Sequence, residues 1–276
     1  MTVSTSHLVL LPSFNTGARL VTVVAEVLAH WRPVLVAIDG STDGSERAVQ
    51  QLAEREPGLS VLVLPRNAGK GAAVLAGARW ARERGFTHAL TMDADGQHVA
   101  AEIRKLMSHS QARPDAMVLG RPVFPANIPK ERLYGRKLSV WLVGAAVLGG
   151  GIDDPLFGFR VYPLGPLLDV LGGRRTGRRY DFDAEAAVRL FWAGTPPLNV
   201  AAPVRYFSRA EGGVSHFHYL RDNRTLAWMH TRLVTTMLGR MGSILALRRR
   251  WRREGIAFAV TPRTEAGAGQ VQLDAK

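Results

Sequence analysis

At positions 89–98 the chain reads Ala89-Leu90-Thr91-Met92-Asp93-Ala94-Asp95-Gly96-Gln97-His98. The first four residues form a short apolar run that is typical of a buried strand. Two aspartates one residue apart then follow, with a glycine and two more possible metal ligands, Gln97 and His98, behind them. Carboxylates at this spacing suit Mg²⁺ or Mn²⁺ held against a diphosphate, because these ions take their remaining ligands from phosphate and water. A polar turn with solvated aspartates is the alternative, and the rest of the sequence must distinguish the two.

Three strand and helix units precede this stretch. Apolar runs predict strands at residues 7–11, 34–38 and 59–64, and each is followed by a turn and a predicted helix. Such alternation predicts an α/β fold in which a mainly parallel, twisted sheet is flanked by helices on both faces. Because the carboxyl ends of parallel strands share one edge, we expect the polar residues that follow these strands to meet there.

The turns after the second and third strands carry residues suited to nucleotide binding. Asp39 is able to accept hydrogen bonds from a base or a ribose, although a structural Asp-Gly turn is an equal alternative. Residues 67–71, Asn-Ala-Gly-Lys-Gly, open an alanine-rich helix in which the glycines let backbone amides approach a ligand and Lys70 adds positive charge. The spacing of a P-loop is absent from this sequence.

The second half of the sequence adds further charged candidates. The pattern predicts a helix at 99–110, a strand at 116–119 and a further helix from about 130. Beyond them, Arg160 follows a glycine and could bind a phosphate or an acidic acceptor. A surface ion pair is the alternative for this arginine. Asp183 and Glu185 precede an apolar helix (186–192), where acidic residues also compensate helix N-terminal charge. Residues 203–206 predict an edge strand, residues 212–217 a flexible loop, and residues 221–253 an amphipathic helical region.

Composition limits the class of protein. The 276 residues are 46% hydrophobic and 21% charged, which predicts a globular chain with one large core or two modest ones. The absence of cysteine excludes disulfides and thiolate metal sites. Residues 1–6 lack the basic flank and apolar core of a secretory signal, so we expect the catalytic part to be cytoplasmic. No uncharged apolar run reaches the roughly 18 residues of a membrane-spanning helix.

The net charge of +13 calls for an anionic partner. Six arginines between positions 240 and 253 alternate with apolar residues, which favours an anionic membrane surface as the partner. A solvated basic helix and a nucleic-acid site are alternatives, but only one aromatic residue, Trp251, lies in this cluster and the acidic loops would repel phosphate, so no nucleic acid is expected. The predicted organisation is a catalytic domain at 1–220, a basic amphipathic region at 221–258 and a disordered tail at 259–276.

Five motifs, in this order, resemble glycosyltransferase family 2. They are Pro12-Ser13-Phe14-Asn15, Asp39-Gly40-Ser41-Thr42-Asp43-Gly44-Ser45, Asn67-Ala68-Gly69-Lys70-Gly71, Asp93-Ala94-Asp95-Gly96-Gln97-His98 and Gly158-Phe159-Arg160. The similarity covers residues 7–217 and is strongest to the polyprenyl-phosphate and dolichyl-phosphate mannose or glucose synthases. It implies the GT-A fold, a nucleoside-diphosphate sugar as donor (UDP-, GDP- or dTDP-linked), Mg²⁺ or Mn²⁺ as cofactor, and inversion at the anomeric carbon.

The resemblance also implies roles for individual residues. It groups Pro12, Phe14, Ala37, Asp39 and Ala94 around the nucleotide, with Lys70 near the base. It makes Asp93 and Asp95 the metal and diphosphate ligands, Asp95 a catalytic residue, and Gln97 a third metal ligand. Arg160 would face donor phosphate or acceptor, and Asp183 or Glu185 would be the catalytic base if the acceptor is a hydroxyl group.

The implied reaction moves a sugar to a lipid-linked acceptor, either a polyprenyl phosphate or the hydroxyl of a lipid or glycan. A lipid phosphate is already an anionic nucleophile, whereas a hydroxyl needs a base. The enzyme would then lie peripherally on the inner face of the cytoplasmic membrane. A nucleotidyltransferase with a similar α/β domain is the alternative enzyme, although its glycine-rich N-terminal signature is missing from the sequence.

Overall fold

The computed structural model describes residues 3–124, 130–172, 177, 179–205 and 219–259. The predicted loop at 212–217, Tyr206 of the predicted edge strand, and the predicted tail from residue 260 lie outside these ranges.

Within the described residues, strands and helices alternate through the first half of the chain. The strands are β1 (His7–Ser13), β2 (Val34–Asp39), β3 (Leu59–Leu64), β4 (His88–Thr91), β5 (Met117–Val123), β6 (Arg160–Pro163) and β7 (Pro197–Pro203). The helices are α1 (Arg19–Leu28), α2 (Ser45–Ala53), α3 (Lys70–Glu83), α4 (Ile103–Ala112), α5 (Lys130–Ala146), α6 (Leu164–Leu171), α7 (Phe182–Trp192), α8 (Tyr219–Leu238) and α9 (Met241–Arg253).

The strands form a single seven-stranded sheet in the order β3-β2-β1-β4-β6-β5-β7. Neighbouring strands are parallel except at β6, which runs antiparallel to both β4 and β5. The predicted mainly parallel α/β sheet is therefore confirmed. The reversal of β6 matters for function, because it brings the start of that strand to the edge where β1, β2 and β4 end.

Apolar side chains fill both faces of the sheet, as the unbroken apolar runs in β1 and β2 predict. Leu8 and Leu10 belong to a core cluster with helices α3 and α5 to α9, whereas Val9 and Leu11 belong to a second cluster with α1, α2 and α4. Alternate residues of one strand thus point into different cores. The result is a three-layer arrangement with helices on each side of the sheet.

Several elements differ from the sequence-based expectation. The edge strand was predicted at 203–206, but β7 ends at Pro203, and Val204 forms an isolated bridge to His98. Helix α7 begins four residues before the predicted position, so Asp183 and Glu185 lie inside the helix. Strand β6 and helix α6 were not predicted, because β6 has four residues and α6 contains a glycine and a proline in its first turn.

The two C-terminal helices contribute to the first core cluster. Met229, Leu233 and Met237 of α8 are buried in it, as are Ile244 and Trp251 of α9. Trp251 is 1% exposed and packs edge-to-face on Phe191 of α7, with ring centroids 4.9 Å apart. Among the described helices, none has the length and apolar composition needed to cross a membrane.

A buried histidine pair lies where β1 and β4 begin. His7 and His88 stack with centroids 4.4 Å apart, and His7 Nε2 lies 3.1 Å from Ser110 Oγ. Burial and the neighbouring His88 lower the pKa of His7 to about 4, and burial lowers the pKa of His88. The folded protein therefore keeps His7 neutral over a pH range in which the unfolded chain binds a proton.

This pair predicts a pH-dependent loss of stability. Above pH 6.5 His7 is neutral in both the folded and the unfolded state, so it does not lower the free energy of unfolding. Between pH 6.5 and 4 only the unfolded chain binds the proton. The free energy of unfolding therefore falls by at most about 1.4 kcal/mol per pH unit for this group. Urea unfolding of the protein and of His7→Gln at pH 7, 6 and 5 measures the effect. The variant should lose less stability between pH 7 and 5, and parallel losses in the two proteins would refute the prediction.

Candidate active site

One edge of the sheet collects the charged residues singled out by the sequence. Strands β1, β2 and β4 end at this edge, the antiparallel β6 begins there, and the first turn of α7 packs beside it. This is the edge at which α/β sheets bind ligands. The polar residues that follow β2, β3 and β4 therefore lie close together, as expected.

Asp39, at the end of β2, holds the loop that leads into α3. Its buried carboxylate accepts hydrogen bonds from the backbone amides of Ala68 (2.8 Å) and Gly69 (2.7 Å). Both oxygens are therefore used by the protein itself, which matches the structural alternative for this residue. The contact fixes the first turn of α3, and with it Lys70, over the end of β4.

Lys70 lies between two aspartates, Asp93 and Asp183. Its ammonium Nζ is 2.7 Å from Asp93 Oδ1 and 2.7 Å from Asp183 Oδ2. Burial alone would lower the pKa of Lys70, but the charges of Asp183 and Asp93 outweigh it and raise the pKa. The same ammonium holds the pKa of Asp93 below its usual value, against the opposing effect of burial. Lys70 is thus a permanent cation in this site.

Gly158, just before β6, leaves the space that Lys70 fills. A Cβ atom at this position would lie 2.4 Å from Lys70 Nζ and 3.0 Å from Asp93 Oδ2. The 2.4 Å distance is shorter than real Cβ contacts, so a side chain at residue 158 would move the ammonium from this position. The glycine of the Gly-Phe-Arg motif therefore leaves room for this close approach.

His98 supports the turn that carries the two aspartates. The amide of Asp93 donates to His98 Nδ1 (3.1 Å), and the ring stacks on Phe159 with centroids 5.1 Å apart. Burial lowers the pKa of His98 even though Asp93 and Asp95 oppose this, so the ring is neutral and carries its proton on Nε2. The sequence marked His98 as a possible metal ligand, but Nδ1 is already occupied by the backbone.

The donor set after β4 fits a hard divalent cation. Asp93 and Asp95 supply carboxylate oxygens, Gln97 can add an amide oxygen, and the Gln97 amide donates to Asp95 Oδ1 (2.9 Å). Burial and the charge of Asp93 raise the pKa of Asp95, so a nearby cation would relieve a real repulsion. Within the described ranges, no three Asp, Glu or His side chains form a ready-made cluster, so phosphate oxygens and water would have to complete the shell.

The structure separates the two acidic candidates of α7. Asp183 is at the site: its Oδ2 contacts Lys70, and its Oδ1 is buried without a hydrogen-bond partner. Glu185 is fully buried beneath it and accepts from Arg189 Nε (2.6 Å) and from Arg232 of α8. Glu185 therefore joins α8 to α7, and the expectation that it serves as a base is corrected to a structural role.

Arg160 also proves to be structural. Its guanidinium is 0% exposed and donates to the backbone carbonyls of Phe157 (2.7 Å), Asp154 (3.0 Å) and Asp183. These contacts leave it no access to a substrate, which corrects the expectation that it faces donor phosphate or acceptor. The residue instead fixes the first turn of α7, and so positions Asp183.

The remaining nucleotide candidates differ in exposure. Pro12 and Ala37 are neighbours across β1 and β2, but Ala37 is fully buried in the core and Ala94 is 4% exposed, so their side chains cannot reach a ligand. Phe14 is partly exposed at the end of β1. Beside it the loops after β1 and β2 are linked, since the Thr42 amide donates to Asn15 Oδ1 (2.8 Å).

A cavity of about 370 Å³ was missed by sequence reasoning. It is lined by Arg136, Lys137, Val140, Trp141 and Asp154. Arg136 forms a two-point ion pair with Asp154, whose backbone carbonyl also accepts from Arg160. Asp154, which lines the cavity, thus contacts Arg160, and Arg160 in turn contacts Asp183. The sequence does contain a pattern that could have indicated this cavity: Arg136 and Lys137 are followed four positions later by Val140 and Trp141, which places all four on one side of a helix.

Comparison with known proteins identifies the family. Residues 8–163 match the family described as Glycosyl transferase family 2. The chain is 34% identical over 163 residues to polyprenol monophosphomannose synthase of Mycolicibacterium smegmatis, covering 56% of this chain and 60% of that protein. It is 28% identical over 182 residues to undecaprenyl-phosphate mannosyltransferase of Micrococcus luteus, covering 65% of this chain and 73% of that protein. The match thus spans about three fifths of the first relative's length.

The fold has a solved counterpart. Glucosyl-3-phosphoglycerate synthase from Mycobacterium tuberculosis, in complex with Mn²⁺, UDP-glucose and phosphoglyceric acid, superposes with a TM-score of 0.56. The alignment covers 87% of this chain and 80% of the other at 16% sequence identity, which shows a shared GT-A fold. The family match and this architecture agree: the chain belongs to glycosyl transferase family 2.

Proposed function

We propose that the protein is an inverting, metal-dependent glycosyltransferase that moves a sugar from a nucleoside-diphosphate sugar to a polyprenyl phosphate. The observation that carries this proposal is the pair of carboxylates, Asp93 and Asp95, at the carboxyl end of β4 in a family 2 chain. The loops after β1 and β2 lie along the same edge and leave Phe14 partly exposed for a nucleotide.

Asp93 and Asp95 would hold the dication, with Gln97 as an additional ligand. When bound, Mg²⁺ or Mn²⁺ supplies positive charge to the departing nucleoside diphosphate, which stabilises the transition state more than the ground state. The protein keeps these carboxylates in place through His98, which holds the Asp93 amide, and through the Gln97 amide, which holds Asp95. The two aspartates are only partly exposed, which strengthens the charge interactions between them and a bound cation.

The cavity beside α5 supports a lipid phosphate as acceptor. Lys137 adds positive charge beside the Arg136–Asp154 ion pair, while Val140 and Trp141 offer an apolar surface to a hydrocarbon chain. A phosphate acceptor is an anion before the reaction, so no proton has to be removed. A hydroxyl acceptor is the second possibility, and Asp183 is then the proposed base, because it is the α7 carboxylate that lies at the site in contact with Lys70.

We extend the proposal to a peripheral position at the inner face of the cytoplasmic membrane. Large apolar side chains are exposed on α5, α8 and α9, among them Trp141 (68% exposed), Trp228 (66%) and Leu238 (61%). Exposed arginines of α9, such as Arg249 and Arg253, lie on the same C-terminal helices. Tryptophan with arginine is the composition that binds anionic lipid surfaces.

The test is a thermal-shift screen of UDP-, GDP- and dTDP-linked sugars with and without Mn²⁺. One donor should raise the melting temperature only when Mn²⁺ is present, because metal and diphosphate complete each other's coordination. That donor is then incubated with a polyprenyl phosphate and, separately, with the matching polyprenol. Glycosylation of the phosphate and not of the alcohol is expected. Absence of any metal-dependent shift, or transfer to the alcohol alone, would contradict the proposal.

A further inference from the structure

The role of Lys70 is not explained by the proposed function. Metal chemistry requires Asp93 to bind a dication, yet Lys70 Nζ already contacts Asp93 Oδ1 at 2.7 Å. The Lys70 side chain is 17% exposed, and its ammonium also contacts Asp183 Oδ2 at 2.7 Å. The Asp93 carboxylate would therefore have to bind two cations, the Lys70 ammonium and the proposed metal ion.

The surroundings of Lys70 show that this contact is built into the fold. Asp39 fixes the amides of Ala68 and Gly69, which set the start of α3. Gly158 provides the space for the ammonium, since a Cβ atom there would lie 2.4 Å from Nζ. Arg160 donates to the carbonyl of Asp183 and so holds the other anionic partner. Three residues outside α3, namely Asp39, Gly158 and Arg160, therefore support the position of one ammonium.

Asp183 shows that the site also has unused binding capacity. Its side chain is 7% exposed, and the buried Oδ1 has no hydrogen-bond partner. A buried carboxylate oxygen without a partner is unfavourable, and a second position for the ammonium beside Asp183 would satisfy it. Lys70 could therefore leave Asp93 without losing its counter-charge.

Resting on the proposed function, we propose that Lys70 is an intramolecular competitor of the dication at Asp93. The ammonium occupies the carboxylate when the site is empty, so a metal ion alone binds weakly. A nucleoside diphosphate brings the negative charge that compensates both cations, and metal and nucleotide then bind together. Lys70 would couple the two ligands through charge, because repulsion between neighbouring cations is strong where water is largely excluded.

The experiment compares Mn²⁺ binding to the unaltered protein and to Lys70→Met, by the electron paramagnetic resonance signal of free Mn²⁺. Methionine keeps most of the side-chain volume and removes the charge. Without nucleotide, Lys70→Met should bind Mn²⁺ on the order of tenfold more tightly. With UDP and GDP as probes, the nucleotide should improve Mn²⁺ binding less in the variant than in the unaltered protein. Equal or weaker binding of Mn²⁺ alone by Lys70→Met would overturn the proposal.

Two matched variants distinguish direct competition at Asp93 from a long-range effect of positive charge on Mn²⁺ binding. Lys70→Arg keeps the positive charge and should bind Mn²⁺ alone as weakly as the unaltered protein. Arg19→Gln removes a different positive charge near the site, whose Nη1 donates to the backbone carbonyl of Asp95 (3.1 Å). If Arg19→Gln tightens Mn²⁺ binding as much as Lys70→Met does, the effect is long-range and direct competition is wrong.

A second measurement applies if Lys70→Met fails to fold. Acylation of lysines in the unaltered protein is followed by mass spectrometry, with Lys105, which pairs with Glu102 at the surface, as the internal reference. Saturating Mn²⁺ should raise the labelling of Lys70 relative to Lys105, and unchanged labelling would contradict competition. If the unaltered protein binds no Mn²⁺ even with nucleotide, the proposed metal site fails; if it binds Mn²⁺ with nucleotide and only the Lys70 effects are missing, the competition alone fails.

Discussion

Replacing Asp95 with asparagine is expected to lower kcat/KM by about a thousandfold while leaving the fold intact. The metal supplies several kcal/mol of transition-state stabilisation in such sites, and about 4 kcal/mol corresponds to this factor. Asparagine keeps the shape of the side chain and can still accept the Gln97 amide at its Oδ1. Burial and Asp93 raise the pKa of Asp95, which means that its charge is unfavourable in the metal-free protein. The metal-free variant should therefore be at least as stable as the unaltered protein.

The measurements are the thermal shift with Mn²⁺ and the best donor, and turnover with a polyprenyl phosphate. Asp43→Asn is the matched control, because Asp43 also follows a strand at this edge but accepts the amides of Gly17 (2.7 Å) and Ser45 (3.1 Å). It should keep the metal-dependent shift. If Asp95→Asn kept both the shift and the turnover, the metal site would have to lie elsewhere.

The sheet could be predicted because each strand carries its own signal. The apolar runs in β1, β2 and β4 have no polar alternation, which is the pattern of strands covered on both faces, and the turns behind them contain glycine. From parallel alternation alone it followed that Asp39 and Asp93 would lie at one edge. This inference needs only the period of the pattern and the direction of the strands.

The functions of the individual side chains could not be predicted in the same way. Lys70 and Asp183 are 113 positions apart, and Glu185 and Arg232 are 47 positions apart, so no local spacing pairs them. Strand β6 is too short for its direction to be read from its sequence, yet its reversal is what places Gly158 against Lys70. Family resemblance identified the acidic positions on α7, but only the packing shows that Asp183 contacts Lys70 at the site, whereas Glu185 pairs with Arg189 and Arg232.

Replacing Arg160 with methionine is expected to destabilise the protein by about 3–5 kcal/mol, the usual effect of removing one partner from a buried charged network. Methionine fills much of the volume but leaves the carbonyls of Phe157, Asp154 and Asp183 without their donor in the core. For a chain of this size the melting temperature should fall by on the order of 10 °C.

Chemical unfolding and kcat/KM, measured for Arg160→Met and for the exposed Arg249→Met as control, separate a structural role from a catalytic one. If the role is structural, Arg160→Met should lose much of its stability, and its kcat/KM should fall because Asp183 is misplaced. Arg160→Lys should lose less of both, because lysine keeps the charge and some of the donors. Arg249→Met should be as stable as the unaltered protein. A fully stable Arg160→Met without activity would mean instead that the guanidinium leaves the core during the reaction and contacts a substrate, since only that contact could be lost without loss of the fold.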